Sequence, residues 1–447
     1  MTKGPLFGPL AAFILPLIGA SLFQQLYNTV DFLFVGNLLD KTAAAAVGAG
    51  SSLIYCTIGL FSGISVGTSV VAAQAIGGGD RERAERALHS SVVFGLVGGL
   101  IIMALFIGCA PAILRLLRTP ESVMPQAVTY LRIYMLSVPL LIFYNMVSGG
   151  MRAYGDSRTP FLILVVCGLV NVAMDAVFLI LIPLGVAGVS IATVISQALS
   201  AVLAARSAAR PDSLLRLRFR RLRLDLPILK EVLSVGLPTG LQTIIITFSN
   251  IMVQYFINGF GETAVAAFAT YYKVENLIYL PIMAFGQAAT TFAGQNTGAG
   301  RFRRLRRGTL GATAAGALIV LLIAGLILAF PRTVFTWFMR DQEVVTVALQ
   351  IALVSFPFYW LSLLLEVIGG AVRGMGYAVR SMLIIIANLC VLRVGLLALF
   401  SAVFHTIPSL AAVYPISWAG AALCFALVFR RLIRPRIAAE EPGADQL

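Results

Sequence analysis

The sequence predicts an all-α integral membrane protein with twelve transmembrane helices in two pseudo-symmetric lobes of six. Hydrophobic residues make up 59% of the 447 residues and charged residues only 12%, whereas soluble domains carry about a quarter charged residues. The apolar residues also form runs long enough to cross a bilayer, which takes roughly 20 residues of helix. A repeat between the two halves of the chain is the third observation, and it predicts the two lobes.

Twelve apolar runs lie between charged residues or Pro and Gly breaks. Their approximate bounds are 10–38, 45–76, 91–113, 127–149, 159–183, 185–206, 231–258, 264–296, 309–331, 345–371, 379–403 and 411–434. They predict an N-terminal lobe over 1–206, an Arg-rich linker over 207–230, a C-terminal lobe over 231–434 and a tail over 435–447. No room remains for a large soluble domain.

The basic residues predict the orientation of the chain. With twelve spans both termini lie on one side, and 25 of the 33 Lys and Arg residues fall in the tails and connections of that side, against five on the other. Because Lys and Arg near span ends stay cytoplasmic, we expect both termini and the linker to face the cytoplasm from a cell membrane. The net charge of +14 therefore needs no nucleic-acid partner. Alternating apolar and basic residues over 214–226 fit either an anionic membrane surface or a solvated linker.

The sequence offers little chemistry for an enzyme. The five cysteines stand singly in the spans, and the two histidines are far apart, so neither a disulfide framework nor a metal-bound active site is expected. No phosphate-binding loop or ATP-binding motif is present. We therefore expect no catalysis and no cofactor, and energy from an ion gradient or a partner.

The repeat relates most of one half of the chain to the other. Residues 74–86, QAIGGGDRERAER, align with residues 295–307, QNTGAGRFRRLRR, at a shift of 221, and Gly155 meets Gly376 at the same shift. Each half holds an even number of spans, so the halves insert with one orientation, related by an axis along the membrane normal. A substrate cavity is expected where two such bundles meet.

Ionisable side chains inside spans cost roughly 2.5–3.5 kcal/mol on insertion scales, so they are candidates for function. In the first half, Asp31 shares a helix face with Gln24 and Asn28, Asn171 and Asp175 are one turn apart, and Thr193 lies in the next span. Helix rise places Asp31, Asp175 and Thr193 roughly 12 Å below the outer surface. Hard oxygen atoms at one level fit a hard cation, or a proton shared by two carboxylates. The alternative is ordinary hydrogen bonding between helices.

The second half differs, because the polar face of the seventh span contains Asn250 but no acid. The remaining charges within its spans are Lys273, Glu275, Glu366 and Arg393. They fit interhelical ion pairs or the lining of a cavity equally well. In the first half, Tyr134 and Tyr144 could contact an aromatic substrate or serve helix packing.

These motifs resemble the MATE (multidrug and toxic compound extrusion) transporters, and in particular their DinF-like branch. The resemblance rests on residues 24–36, QQLYNTVDFLFVG, on Gln74 with Gly77 and Gly79, on residues 151–160, MRAYGDSRTP, and on residues 295–300, QNTGAG. Together these motifs span nearly the whole chain.

The resemblance implies cation-coupled antiport, with H⁺ or Na⁺ as the coupling ion, exporting amphipathic and often cationic compounds by alternating access. It places the N-terminal cation site on Asp31, Asn171, Asp175 and Thr193. The polar faces and the charges within spans add the candidate cavity residues Gln24, Asn28, Tyr134, Tyr144, Asn250, Lys273, Glu275 and Glu366. The implied partners are a small-molecule substrate and the bilayer, with a monomer as the working unit. Export of a lipid-linked sugar or peptidoglycan precursor is the alternative, because Lys273 and Arg393 could bind a pyrophosphate.

Overall fold

The structure, a computed structural model, describes residues 1–210 and 216–440. Residues 211–215 of the predicted linker and 441–447 of the predicted tail lie outside the described residues. The described chain is helical throughout its length. Its helices are α1 Phe7–Leu38, α2 Lys41–Gly77, α3 Arg81–Leu116, α4 Met124–Met135, α5 Val138–Tyr154, α6 Arg158–Ala176, α7 Val186–Ala209, α8 Leu226–Asn258, α9 Glu262–Gly298, α10 Phe302–Ala329, α11 Pro331–Thr336, α12 Gln342–Ser355, α13 Tyr359–Gly374, α14 Ala378–Ile385, α15 Arg393–Val403 and α16 Ile407–Ala438.

Twelve helical segments of the described chain are long and apolar enough to cross a membrane, as the sequence predicts. Several helices extend past the apolar runs at their polar ends. The helix α3, for example, begins at Arg81 rather than near residue 91, because the Asp80 side chain accepts a hydrogen bond from the Arg83 N–H at 2.8 Å and caps it. Charged residues thus complete helices whose apolar middles span the bilayer.

Four of the spans are not continuous α-helices, which the apolar pattern did not predict. The fourth span breaks between α4 and α5, next to Pro139, and the tenth breaks at a 3₁₀ turn over Phe356–Phe358, which contains Pro357. A proline lacks the N–H that a continuous helix needs, so both breaks have a local cause. The fifth and eleventh spans contain π-helical segments over Val177–Leu181 and Ile386–Leu392.

The turns that follow the second and fourth spans of each half repeat in detail. Gly155 and Gly376, 221 residues apart, have φ of 95° and 92°, a conformation that glycine adopts without strain. The N–H of Gly155 donates to the Arg152 carbonyl at 2.8 Å, and the N–H of Gly376 donates to the Arg373 carbonyl at 2.9 Å. Gly79 and Gly300 form a second such pair, with φ of 80° and 69°. The sequence repeat is therefore also a structural one.

Small residues let pairs of helices pack backbone to backbone. A Cβ atom on Gly63 would lie 2.2 Å from the Gly240 nitrogen, and one on Gly67 would lie 2.3 Å from the Val232 carbonyl oxygen, where α2 crosses α8. Glycines four residues apart are typical of closely packed membrane helices, because the two backbones can then approach each other. Within α8, Gly236 and Gly240 provide the matching pair.

The same contact recurs within each half. A Cβ on Gly149 of α5 would lie 2.7 Å from the Ser65 carbonyl of α2, and one on Gly370 of α13 would lie 2.4 Å from the Gly286 carbonyl of α9. Gly370 follows Gly149 by 221 residues, and Gly286 follows Ser65 by the same number. The packing of the second span on the fourth is thus common to both halves.

Close contacts divide the chain into two compact units. One contains residues 15–240 and the other contains residues 1–14 and 241–447. The division falls inside α1 and α8, whereas the sequence analysis placed lobe boundaries at 206 and 231. Those boundaries stay a prediction.

The linker is packed onto the protein where the structure describes it. The N–H of Arg218 donates to Nε2 of His89 at 3.0 Å, and the N–H of Asp225 donates to Oγ of Ser90 at 2.9 Å, so both residues lie against the third turn of α3. Leu217 is only 2% exposed. We call residues 216–225 the strap.

Candidate functional site

Helices α1 and α6 run side by side in the unit of residues 15–240. A Cβ on Gly19 of α1 would lie 3.1 Å from the Phe161 ring, and one on Gly168 of α6 would lie 2.5 Å from the Phe23 ring. Residue numbers increase in the same direction along both helices, so the two helices are parallel. Two turns beyond Gly168, α6 reaches Asp175 at the level where α1 reaches Asp31.

Asp31 and Asp175 are close enough for their carboxyl groups to interact directly. Asp175 is 1% exposed, and Asp31 is partly buried. Within the part of the chain that the structure describes, Oδ1 of Asp31 and both carboxyl oxygens of Asp175 are buried without a hydrogen-bond partner, and so is Nδ2 of Asn171, one turn before Asp175. Leaving a buried polar atom unpaired costs roughly 1–3 kcal/mol, and more for a charge. A ligand that supplies positive charge to these oxygens would remove that cost.

The donor set fits a proton or a hard monovalent cation better than a transition metal. Carboxyl oxygens suit hard cations, whereas zinc and similar metals favour histidine and cysteine. Among the described residues, no group of three or more His, Cys, Asp or Glu side chains lies in metal-binding range. The carboxylates of Asp31 and Asp175 therefore provide the negative charge of the candidate cation site.

Thr193 lies on α7, which packs against α6. Its hydroxyl donates to the Val189 carbonyl at 3.1 Å and, within the described residues, makes no hydrogen bond to either acid. The structure therefore brings together three of the four predicted coupling residues, Asp31, Asn171 and Asp175, whereas the Thr193 hydroxyl is hydrogen-bonded within its own helix. Their role in coupling stays a prediction.

Tyrosines surround the acid pair. Tyr130 and Tyr134 stack with ring centroids 5.7 Å apart, and both lie within electrostatic range of Asp31. Tyr27, one turn before Asp31, also interacts with it electrostatically and was not among the predicted residues. The i, i+4 spacing on α1 was the signal that could have identified Tyr27.

The other predicted cavity residues of this half differ in exposure. Gln24 and Asn28 are exposed on α1. Tyr144 is part-buried, and its hydroxyl donates to the Pro160 carbonyl at 3.1 Å. That bond supports the packing interpretation for Tyr144 over direct substrate contact.

In the other unit, Glu275 belongs to a hydrogen-bonded network of buried hydroxyl groups. The Tyr359 hydroxyl donates to Oε1 of Glu275 at 2.5 Å, and the hydroxyls of Tyr271 and Tyr359 are 2.9 Å apart. The Tyr271 hydroxyl also lies 2.9 Å from the Ser355 hydroxyl. Asn250 and Lys273, by contrast, are exposed.

Glu366 and Arg393 have different partners from each other. Glu366 pairs with Arg373 at 3.3 Å, two turns along α13, and both side chains are nearly buried. Arg393 is 4% exposed; its Nε donates to Ser417 at 3.1 Å, and its guanidinium lies 5.0 Å from the centre of the Tyr414 ring. Within the described part of the chain, Lys273, Glu275, Glu366 and Arg393 form no ion pair with one another. The interhelical pairs considered from the sequence are therefore absent there, and Arg373 was the partner that the sequence analysis missed.

Comparisons with known proteins agree with this architecture. The family model MatE matches residues 16–177 and again residues 238–399. The two matches are offset by 222 residues, close to the shift found within the sequence. One family model thus describes each half of this chain.

The full-length relatives are proteins of similar size. The chain is 29% identical over 412 residues to the probable multidrug resistance protein YpnP of Bacillus subtilis, covering 90% of each. It is 28% identical over 387 residues to the probable multidrug resistance protein YoeA of the same species, covering 84% of this chain and 82% of the relative. It is 21% identical over 375 residues to the multidrug export protein MepA of Staphylococcus aureus, covering 83% and 82%.

Solved structures share the fold. One is described as the outward-facing conformation of a multidrug resistance MATE family transporter of the MOP superfamily; it matches with a TM-score of 0.92 at 23% identity, over 98% of both chains. A crystal structure of MATE in the straight conformation matches with a TM-score of 0.91 at 24% identity, again over 98% of both chains. At such identities the likeness establishes the fold alone. Because the family model covers most of both halves, this multi-pass membrane protein belongs to the MatE family.

Proposed function

We propose that this chain is a cation-coupled antiporter that exports amphipathic, often cationic, small molecules by alternating access. The named relatives support export of drugs, since they are described as multidrug resistance or multidrug export proteins. The proposed coupling ion is H⁺ or Na⁺, bound at the acid pair.

The observation that carries the proposal is the pair Asp31 and Asp175, of which three carboxyl oxygens are buried without a hydrogen-bond partner among the described residues. Two neighbouring carboxylates in a protein interior repel each other, so the pair favours a bound proton or cation. A ligand shifts a conformational equilibrium only by its difference in affinity between the two states. If the acid pair is open to water in one state and closed to it in the other, its affinity for the ion differs between the two states.

The aromatic surroundings suit a cationic substrate. Tyr130 and Tyr134 lie near Asp31, and aromatic faces attract organic cations by about 0.5–2 kcal/mol. A substrate cation and the coupling ion would then both be attracted to the same carboxylates. Such competition lets binding of one favour release of the other, which is the requirement for antiport.

The test is transport by the purified protein in vesicles, with a fluorescent lipophilic cation such as ethidium as the probe. A proton gradient and a sodium gradient are imposed separately, with the membrane potential clamped. Counter-movement of the probe should follow one of the two gradients and stop when that gradient is collapsed. Probe movement that ignores both gradients would contradict coupling.

A second candidate function is the export of a lipid-linked sugar or peptidoglycan precursor. It is favoured by Arg393, a buried guanidinium that contacts the Ser417 hydroxyl and the face of the Tyr414 ring, because such a group could bind a phosphate. Vesicles that contain a fluorescent lipid-linked sugar discriminate the two. Transfer of that lipid between leaflets, absent in Arg393→Gln vesicles, would support this candidate over drug export.

A further inference from the structure

The strap, residues 216–225, has two sides with different character. On its inner side Leu217 is 2% exposed, and the backbone of Arg218 and Asp225 is hydrogen-bonded to His89 and Ser90 of α3. On its outer side Phe219 is 55% exposed and Leu224 is 45% exposed. The strap is thus held in one orientation, with two large apolar side chains directed away from the protein.

The charges of the strap are also sorted by side. Its acid Asp225 lies 3.5 Å from Arg86 of α3, and Glu231 just beyond it lies 2.6 Å from Arg83. Those carboxylates are therefore neutralised against the protein. Arg220, Arg221 and Arg223 are exposed beside Phe219 and Leu224. Among the described residues, none of these three arginines forms an ion pair, so the outer side combines positive charge with apolar side chains.

An open cleft of about 540 Å³ lies at the end of α7, lined by Leu203, Arg206, Ser207, Ala209 and Arg210. The strap reaches this end of α7, because the N–H of Leu217 donates to the Ala208 carbonyl at 2.9 Å. Two further arginines one turn apart, a hydroxyl and an apolar side chain thus border the same region. A phosphate with an attached hydrocarbon would find both kinds of contact here.

The position of the strap selects the ligand. It joins the end of one membrane-spanning helix, α7, to the start of another, α8, so its two ends are tethered at the membrane surface. Phosphate groups at that level belong to lipids, and each Lys or Arg near an anionic surface contributes about 1 kcal/mol of attraction. We propose that the outer side of the strap and the adjoining α7 cleft bind the headgroups of anionic phospholipids, with Phe219 and Leu224 entering the interface. This inference does not depend on the transported substrate.

The test uses the full-length protein in nanodiscs with equal amounts of phosphatidylcholine and phosphatidylglycerol. Native mass spectrometry then gives the ratio of the two lipids that stay bound after release. We expect wild-type protein to retain phosphatidylglycerol preferentially. In the variant Arg220→Gln/Arg221→Gln, the preference for phosphatidylglycerol should fall about fivefold for each arginine removed. That factor corresponds to the attraction of one basic residue to an anionic surface.

A matched control removes two exposed arginines from the other end of α3. Arg115→Gln/Arg118→Gln changes the net charge equally at a place that adjoins neither the strap nor the α7 cleft, so it should lose less of the preference than Arg220→Gln/Arg221→Gln. Phe219→Ser, which changes no charge, should reduce lipid retention, whereas a site for soluble phosphate would be indifferent to it. High salt should weaken the preference of the wild-type protein, because exposed charges are screened. Equal retention of both lipids by the wild type, or an unchanged preference in Arg220→Gln/Arg221→Gln, would overturn the proposal.

Discussion

At the scale of single residues, the acids Asp31, Asp175, Glu275 and Glu366 have two kinds of surroundings. Glu366 and Arg373 satisfy each other at 3.3 Å, and Glu275 accepts a hydrogen bond from Tyr359. Asp31 and Asp175 instead place two carboxyl groups together, and three of their oxygens are buried without a hydrogen-bond partner in the described ranges. The first kind stabilises the helices that carry it, and the second kind is suited to a ligand.

The pair Glu366 and Arg373 should therefore matter for stability rather than for coupling. Removing one member of a nearly buried ion pair leaves the other charge uncompensated, at a cost of about 3 kcal/mol. We expect Glu366→Gln to lower the thermal unfolding midpoint of the detergent-purified protein and to keep the ion dependence of transport. The double variant Glu366→Gln/Arg373→Met should recover stability, since no charge is then left buried. A wild-type midpoint for Glu366→Gln would show that the pair is not stabilising.

The acid pair could be predicted from the sequence because helical spacing and depth in the membrane are both local properties. Asp31 and Asp175 were placed at one level by counting residues from the ends of their spans, and the structure brings them together. The partners of Glu275 could not be predicted in that way. Tyr359 lies 84 residues away on another helix, and their contact depends on the rotation of both helices about their axes.

At the scale of helices, apolar length predicted the spans, and proline and glycine determined their details. The helices break beside Pro139 and Pro357, although the sequence stays apolar across both breaks. Hydropathy therefore contains no sign of them, although the prolines themselves were visible. The glycines of α2 and α8 likewise allow a close approach that composition alone does not indicate.

The crossing of α2 and α8 gives a direct test of that approach. A methyl group on Gly63 would lie 2.2 Å from backbone nitrogen, so Gly63→Ala must separate the two helices. We expect a lower thermal unfolding midpoint and less protein in the membrane. Gly108→Ala on α3 is the control, because nothing lies within 4 Å of the added atom. Equal behaviour of the two variants would mean that the close packing contributes no stability.

At the scale of the whole molecule, the two halves share helix packing but not charge. The turns at Gly155 and Gly376 and the contacts at Gly149 and Gly370 repeat at a shift of 221. At the family-model shift of 222, however, Asp31 corresponds to Val253 and Asp175 to Leu397. The repeat therefore explains the fold, and the departure from it confines the acid pair to one half.

The basic residues of the whole chain predict its orientation in the membrane. In a cysteine-free background, Arg220→Cys and Ala439→Cys should resist an impermeant thiol reagent added to intact cells, because the side rich in Lys and Arg stays in the cytoplasm. Arg340→Cys, on the opposite side in this prediction, should react. Labelling of Arg220→Cys from outside would invert the topology.

In the proposed mechanism, the acid pair of Asp31 and Asp175 couples the ion gradient to export. Its most direct test is gradient-driven efflux by Asp31→Asn and Asp175→Asn, normalised to the amount of protein in the membrane, with the exposed Glu121→Gln as control. Both aspartate variants should insert at normal levels, because an amide is less costly to bury than a carboxylate, and both should lose gradient-driven efflux while Glu121→Gln keeps it. Efflux by Asp31→Asn at the wild-type rate, with the same pH and sodium dependence, would contradict the account and make Glu275 the better candidate.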